Sequence, residues 1–143
     1  MVLGIAASPA AAAAVDPFEV QPNAACAGVP GVDFTVELRT DGNAGVDFGN
    51  GGHLVNTTTQ STTGPVVQFT LTGPYAARAV IIQGLGEPAP NGNTYLYNGV
   101  LGFPRGGVHD TGLHAVVNPQ NDLYYIPDTV TYCVIPSSYN GSV

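Results

Sequence analysis

The residues whose types could do chemistry in this chain are its three histidines and the acids beside them. His109, Asp110 and His114 share one short stretch, and His53 stands far from them. Imidazole nitrogens and carboxylate oxygens are zinc donors, so that stretch joined by His53 could make a metal-dependent hydrolytic site. The spacing of His109 and His114 matches no zinc signature, and imidazoles in a Gly-containing loop need not converge. The competing reading is structural: Asp110 caps a turn and His114 hydrogen-bonds within the rim of a β-fold. That second reading is the one the residues favour, and no cofactor is expected.

Other chemistries find less support. The G-x-S-x-G elbow of a serine hydrolase is absent, and the ten acidic residues form no distinguished pair for glycoside hydrolysis. Gly84-Leu85-Gly86 follows an apolar run as a dinucleotide loop would, but Pro88 and Pro90 prevent the helix whose N-terminus would hold a pyrophosphate. Asp41, Asn43 and Asp47 offer oxygen ligands for calcium, yet Gly45 stands where a further ligand is needed, so a turn is expected. Tyr95, Tyr97, Tyr124 and Tyr125 could stack on sugar rings or build a protein interface if exposed. Alternation along strands would place half of them in the core. Asn56-Thr57-Thr58 and Asn140-Gly141-Ser142 fit the N-glycosylation pattern.

The elements that must position these residues read as strands. From 32 to 39, apolar residues at Val32, Phe34, Val36 and Leu38 alternate with Asp33, Thr35, Glu37 and Arg39, the two-residue period of a half-buried strand. Val67, Phe69 and Leu71 alternate in the same way, and a strand over 53–59 is expected. Ala79-Val80-Ile81-Ile82-Gln83 is an unbroken apolar run, as a central strand covered on both faces requires. Further strands are expected at 94–97, 123–126 and 129–135, with turns at Asp41-Gly42, Gly64-Pro65, Gly73-Pro74 and Asn118-Pro119. Residues 41–52 and 98–112 read as turn-rich and mostly irregular. Together these give an all-β fold, an antiparallel β-sandwich of about seven strands, immunoglobulin-like or jelly-roll-like.

Residues 1–14 form an Ala-rich run ending Ala12-Ala13-Ala14, expected to be the tail of a signal peptide, possibly truncated because it lacks a basic start. The run is too short to span a bilayer. An extended lead-in is expected over 15–31, the sandwich domain over 32–135, and a C-terminal tail over 136–143. Cys26 and Cys133 are the two cysteines of the chain, and in an exported protein they are expected to pair.

The chain has 143 residues, enough for one domain with a real core. Only 9% of them are charged, the net charge is −7, and there is no lysine. With Arg39, Arg78 and Arg105 as the sole arginines, no cationic stripe exists to neutralise phosphates, which argues against nucleic-acid and anionic-membrane partners.

Four short elements in order, Ala79-Val80-Ile81-Ile82-Gln83-Gly84, Asn93-Thr94-Tyr95-Leu96-Tyr97, Asp110-Thr111-Gly112-Leu113-His114 with Asn118-Pro119, and Val130-Thr131-Tyr132-Cys133, resemble a recurring type of uncharacterised bacterial secreted or surface domain. The chain departs from that pattern at Gln83, where a lysine is usual, and at Pro127-Asp128, where a Ser-His pair is usual. The resemblance implies a cysteine-fastened extracellular β domain and no known reaction. The expected role is therefore non-enzymatic: a secreted or cell-surface protein that binds, adheres or builds a structure. Its partner would be an extracellular protein, a glycan or a second copy of itself. The alternative is a carbohydrate-binding or metal-dependent hydrolytic accessory module that uses the His109–His114 loop.

Overall fold

The structure, a computed structural model, describes residues 19–21, 26, 32, 34–39, 43–84, 92–97 and 107–137. The signal segment over 1–14, the Asp41-Gly42 turn, the loop at Leu85, Arg105, the last residues of the tail and the Asn140 sequon lie outside the described residues.

Eleven strands and no helix of α type are present among the described residues. In chain order they are β1 (Glu19–Gln21), β2 (Phe34–Leu38), β3 (Ala44–Phe48), β4 (Gly52–Ser61), β5 (Gly64–Thr72), β6 (Tyr75–Gly84), β7 (Gly92–Leu96), β8 (His109–Leu113), β9 (Val117–Asn118), β10 (Leu123–Tyr124) and β11 (Pro127–Pro136). Pairing is antiparallel throughout: β1-β7-β6-β11-β2 form a five-stranded sheet, β3-β4-β5-β8 a four-stranded one, and β9 and β10 a small hairpin. The all-β antiparallel sandwich expected from the sequence is therefore present, with four more strands than the seven expected: β1, β3, β8 and β9.

One core joins the two sheets. Leu54, Val67, Phe69, Leu71 and Leu113 from the four-stranded sheet pack with Val36, Val80, Ile82, Val130 and Val134 from the other. Each such side chain withdrawn from water contributes about 1.5–3 kcal/mol, which makes the shared core the main source of stability. The alternation read in 32–39 is realised in β2, where Val36 and Leu38 are buried and Thr35 and Glu37 are exposed. The unbroken apolar run becomes β6, the middle strand of its sheet, and Gln83 alone along it is less than fully buried.

Two faces bury β6 for different reasons. Ala77, Val80 and Ile82 face the shared core, whereas Ala79 and Ile81 face outward into a smaller cluster with Cys26 and Cys133. The Cys26–Cys133 disulfide is formed and spans 107 residues. It holds the lead-in against the outer face of the five-stranded sheet. Within that lead-in, β1 adds an edge strand to β7. At the other end β11 continues through Pro136, and the Ser137 N–H donates to Pro74 O at 2.9 Å.

Candidate functional site

Sequence-singled residues meet at the rim beyond β8. His114 is gripped through its backbone: its N–H donates to the Tyr95 hydroxyl at 2.9 Å, and its carbonyl accepts from that hydroxyl at 3.1 Å and from Asn93 Nδ2 at 2.8 Å. Its Nδ1 lies 2.8 Å from Ala115 O. A carbonyl only accepts, so Nδ1 carries the hydrogen, and in the neutral ring Nε2 is the acceptor. The ring itself lies against Tyr124, 3.7 Å between centroids and 7° from parallel.

Tyr124 belongs to the β9–β10 hairpin, which is fixed at several points. Its N–H donates to Thr63 O at 2.9 Å, and the Tyr125 N–H donates to Val116 O at 3.0 Å. Gly64, at φ +119, lies so close that a Cβ there would come within 2.7 Å of the Tyr124 nitrogen. The turn is bonded internally, with Asn118 Oδ1 accepting from Gln120 N at 2.9 Å and Asn121 Oδ1 from Leu123 N at 3.0 Å. Asp122 takes a positive φ of 62° to close it, a conformation that short polar side chains tolerate. On this frame Val117, Leu123 and Ile126 remain 47%, 40% and 45% exposed. Since Val117 pairs with Tyr124 and Leu123 with Asn118, Val117 and Leu123 stand on opposite faces of the two-stranded ribbon.

The other histidines are elsewhere. On the outer face of the four-stranded sheet, His53 is the cross-strand partner of Asp47 and its Nδ1 donates to Asp47 Oδ1 at 2.6 Å. His109 lies opposite Thr70 and bonds its hydroxyl through Nδ1 at 3.0 Å. Strand β5 separates the two, and β8 separates His109 from His114. Among the described residues no three of His, Cys, Asp and Glu come together as a metal site. The four residues weighed as a possible metal site are thus divided among the outer face of the four-stranded sheet (His53, His109), the core (Asp110) and the rim (His114).

Asp110 corrects the turn-cap expectation. It is a core-facing strand residue, 4% exposed, whose Oδ2 accepts from the Tyr97 hydroxyl at 2.8 Å and whose Oδ1 accepts from Thr111 N at 2.8 Å. The alternation fails locally because β8 carries an extra residue opposite β5, with Gly112 at φ +77. Tyr95 and Tyr97 are buried, at 1% and 0% exposure, so neither offers a ring to a surface ligand. Tyr124 and Tyr125 are half-buried. Burial first, then the charge of Asp110, pushes the Tyr97 hydroxyl far above the ordinary phenol range; burial does the same to Tyr95 and Tyr132. Tyr132 donates across the sandwich to Asn56 Oδ1, and Asn56 is fully buried, so the first glycosylation sequon is closed in the folded chain.

Sequence reasoning did not single out Val117, Leu123 and Ile126. Scattered aliphatics beside a turn read as ordinary strand residues; three exposed ones gather at this hairpin, whereas Val55 and Val108 are exposed singly elsewhere. Compared with known protein families, with curated proteins and with solved structures, the chain matches none of them. Fold and rim together define a disulfide-fastened antiparallel β-sandwich carrying a hydrogen-bonded hairpin with exposed aliphatic side chains.

Proposed function

We propose that this is an extracellular, non-enzymatic contact module whose β9–β10 hairpin inserts into a cleft on another protein in an adhesive or structural role. The observation that carries the reading is the exposure of aliphatic side chains on both faces of a hairpin that is otherwise fixed to the body. Apolar side chains presented to water on or beside an element held by backbone hydrogen bonds lose little ordering entropy on binding, which supports the reading. The titratable side chains singled out from the sequence are engaged in structural bonds: His53 with Asp47, Asp110 with Tyr97, His114 with Ala115.

An intramolecular disulfide supports an oxidising compartment, and export over the Ala-rich segment 1–14 accords with it. The net charge of −7 opposes association of the chain with itself, so the cleft belongs to a different protein with a cationic rim. Retention of secreted and surface proteins on the immobilised oxidised chain, compared with a Leu123→Asp/Ile126→Asp variant, tests this reading.

A further inference from the structure

The outer face of the five-stranded sheet holds a groove of about 300 Å³ beyond the disulfide cluster, with Ile81 in its lining. Its polar lining comes from three adjacent strands: Glu37 on β2 with Arg39 just after it, Asp128, Thr129 and Thr131 on β11, and Gln83 on β6. Thr131 pairs with both Glu37 and Ile81, and Thr129 with Gln83, so these side chains form consecutive cross-strand rows.

Asp128 joins them through a backbone irregularity. Pro127 pairs with Gly84 and Thr129 with Gln83, leaving Asp128 as an extra residue. A β-bulge re-aims a side chain that strict alternation would send to the other face. Here it brings a carboxylate beside Thr129, whose hydroxyl donates to Asp128 Oδ2 at 3.4 Å. Among the described residues, Glu37, Arg39 and Asp128 form no ion pair, although both signs of charge line one groove. Two carboxylates and one guanidinium complement an ammonium and a carboxylate. A neutral ligand would leave those charges partly desolvated without compensation.

We propose that this groove binds an amino-acid-sized zwitterion, its ammonium held by Glu37 and Asp128 and its carboxylate by Arg39, with Gln83, Thr129 and Thr131 completing the hydrogen bonds. Its volume lies at the small end of ligand pockets, about 300–1,000 Å³, which suits a free amino acid or the two termini of a dipeptide. The site is separate from the hairpin and does not rest on the hairpin reading.

The test is an amide-shift titration of the oxidised full chain with L-lysine, L-alanine, L-alanyl-L-alanine and N-acetyl-L-alanine methyl ester, with maltotriose as the neutral sugar. Saturable shifts at residues 37–39, 83 and 128–131 with the zwitterions, absent with the blocked ester, are expected. Saturation by the amino acids alone would identify the free amino acid as ligand, and saturation by the dipeptide would identify paired peptide termini. Asp128→Asn and Arg39→Gln, both at exposed or half-exposed positions, should each weaken binding about tenfold or more. Leu123→Asp should leave it unchanged. No saturation by any zwitterion up to its solubility, equal shifts with the blocked ester, or selective binding of maltotriose would overturn the proposal.

Discussion

The imidazole of His114 stacks on the phenol of Tyr124 at 3.7 Å and 7°. That contact joins a residue gripped by the core tyrosine Tyr95 to a hairpin that carries exposed aliphatics. Position is thereby transmitted from sandwich to hairpin through one ring pair and the backbone bonds beside it.

If the ring pair fixes the hairpin, the two side chains must be energetically coupled. A double-mutant cycle of His114→Ala and Tyr124→Ala, read by urea unfolding, should give a coupling of about 1 kcal/mol. Additive single effects would mean that the stack positions nothing.

Gly64 supplies the other fixed point. At φ +119 and with the Tyr124 nitrogen 2.7 Å from a built Cβ, Gly64→Ala meets both backbone strain and a main-chain clash. A loss of about 1–3 kcal/mol is expected, with faster amide exchange at Tyr124 and Tyr125. Unchanged exchange there would show that the turn and hairpin are not in register contact.

The disulfide closes 107 residues of chain. The chain-entropy argument gives about 4–5 kcal/mol for a loop of that length, so Cys26→Ala/Cys133→Ala should unfold at much lower urea than the oxidised chain. Because Cys26 packs on Ala79 and Ile81, amide protection should fall first where the edge strand β1 pairs with β7. Equal urea midpoints for the two forms would contradict this account of the bridge.

Alkaline pH should unfold the protein cooperatively. Tyr95, Tyr97 and Tyr132 have hydroxyls pushed above the ordinary value of 10.0, chiefly by burial. Above pH 10 the unfolded chain loses these protons while the folded chain keeps them, so stability is intact below that pH and falls as pH rises. The slope is about 1.4 kcal/mol per pH unit for each tyrosine. Absorbance at the tyrosinate band should show these groups ionising together with the loss of β circular dichroism. Ionisation of all seven tyrosines before any structural change would refute their placement.

Much of the sheet framework could be read directly. Val36 and Leu38 alternate with Thr35 and Glu37, and the run through Ile82 is too apolar to be anything but central. The cysteine pair followed from there being two cysteines in a chain with an export-like start. Strand β3 was hidden because Gly45 and Asp47 face outward between Ala44, Val46 and Phe48, and a Gly-Asp-rich run looks like a turn. Strand β8 was hidden by its bulge, which sets Asp110 and Leu113 on the core face three residues apart.

The candidate site was less legible for a related reason. Rarity drew attention to His53, His109 and Asp110, whereas burial and pairing decide what those residues do. His114 and Tyr124 were named separately, but their stacking depends on contacts between the segment after β8 and the hairpin. Gln83 and Asp128 depart from a sequence pattern, but that they line one groove depends on strand pairing and on the bulge at Asp128, which the sequence does not show.

Contact through the hairpin would run through the exposed Leu123 and its neighbour Ile126. The most direct measurement compares protein retained from secreted and surface fractions by the immobilised oxidised chain and by its Leu123→Asp/Ile126→Asp variant, after both show the same urea midpoint. Loss of two apolar anchors should reduce specific retention about tenfold or more. Equal retention by both, or retention by neither, would contradict it.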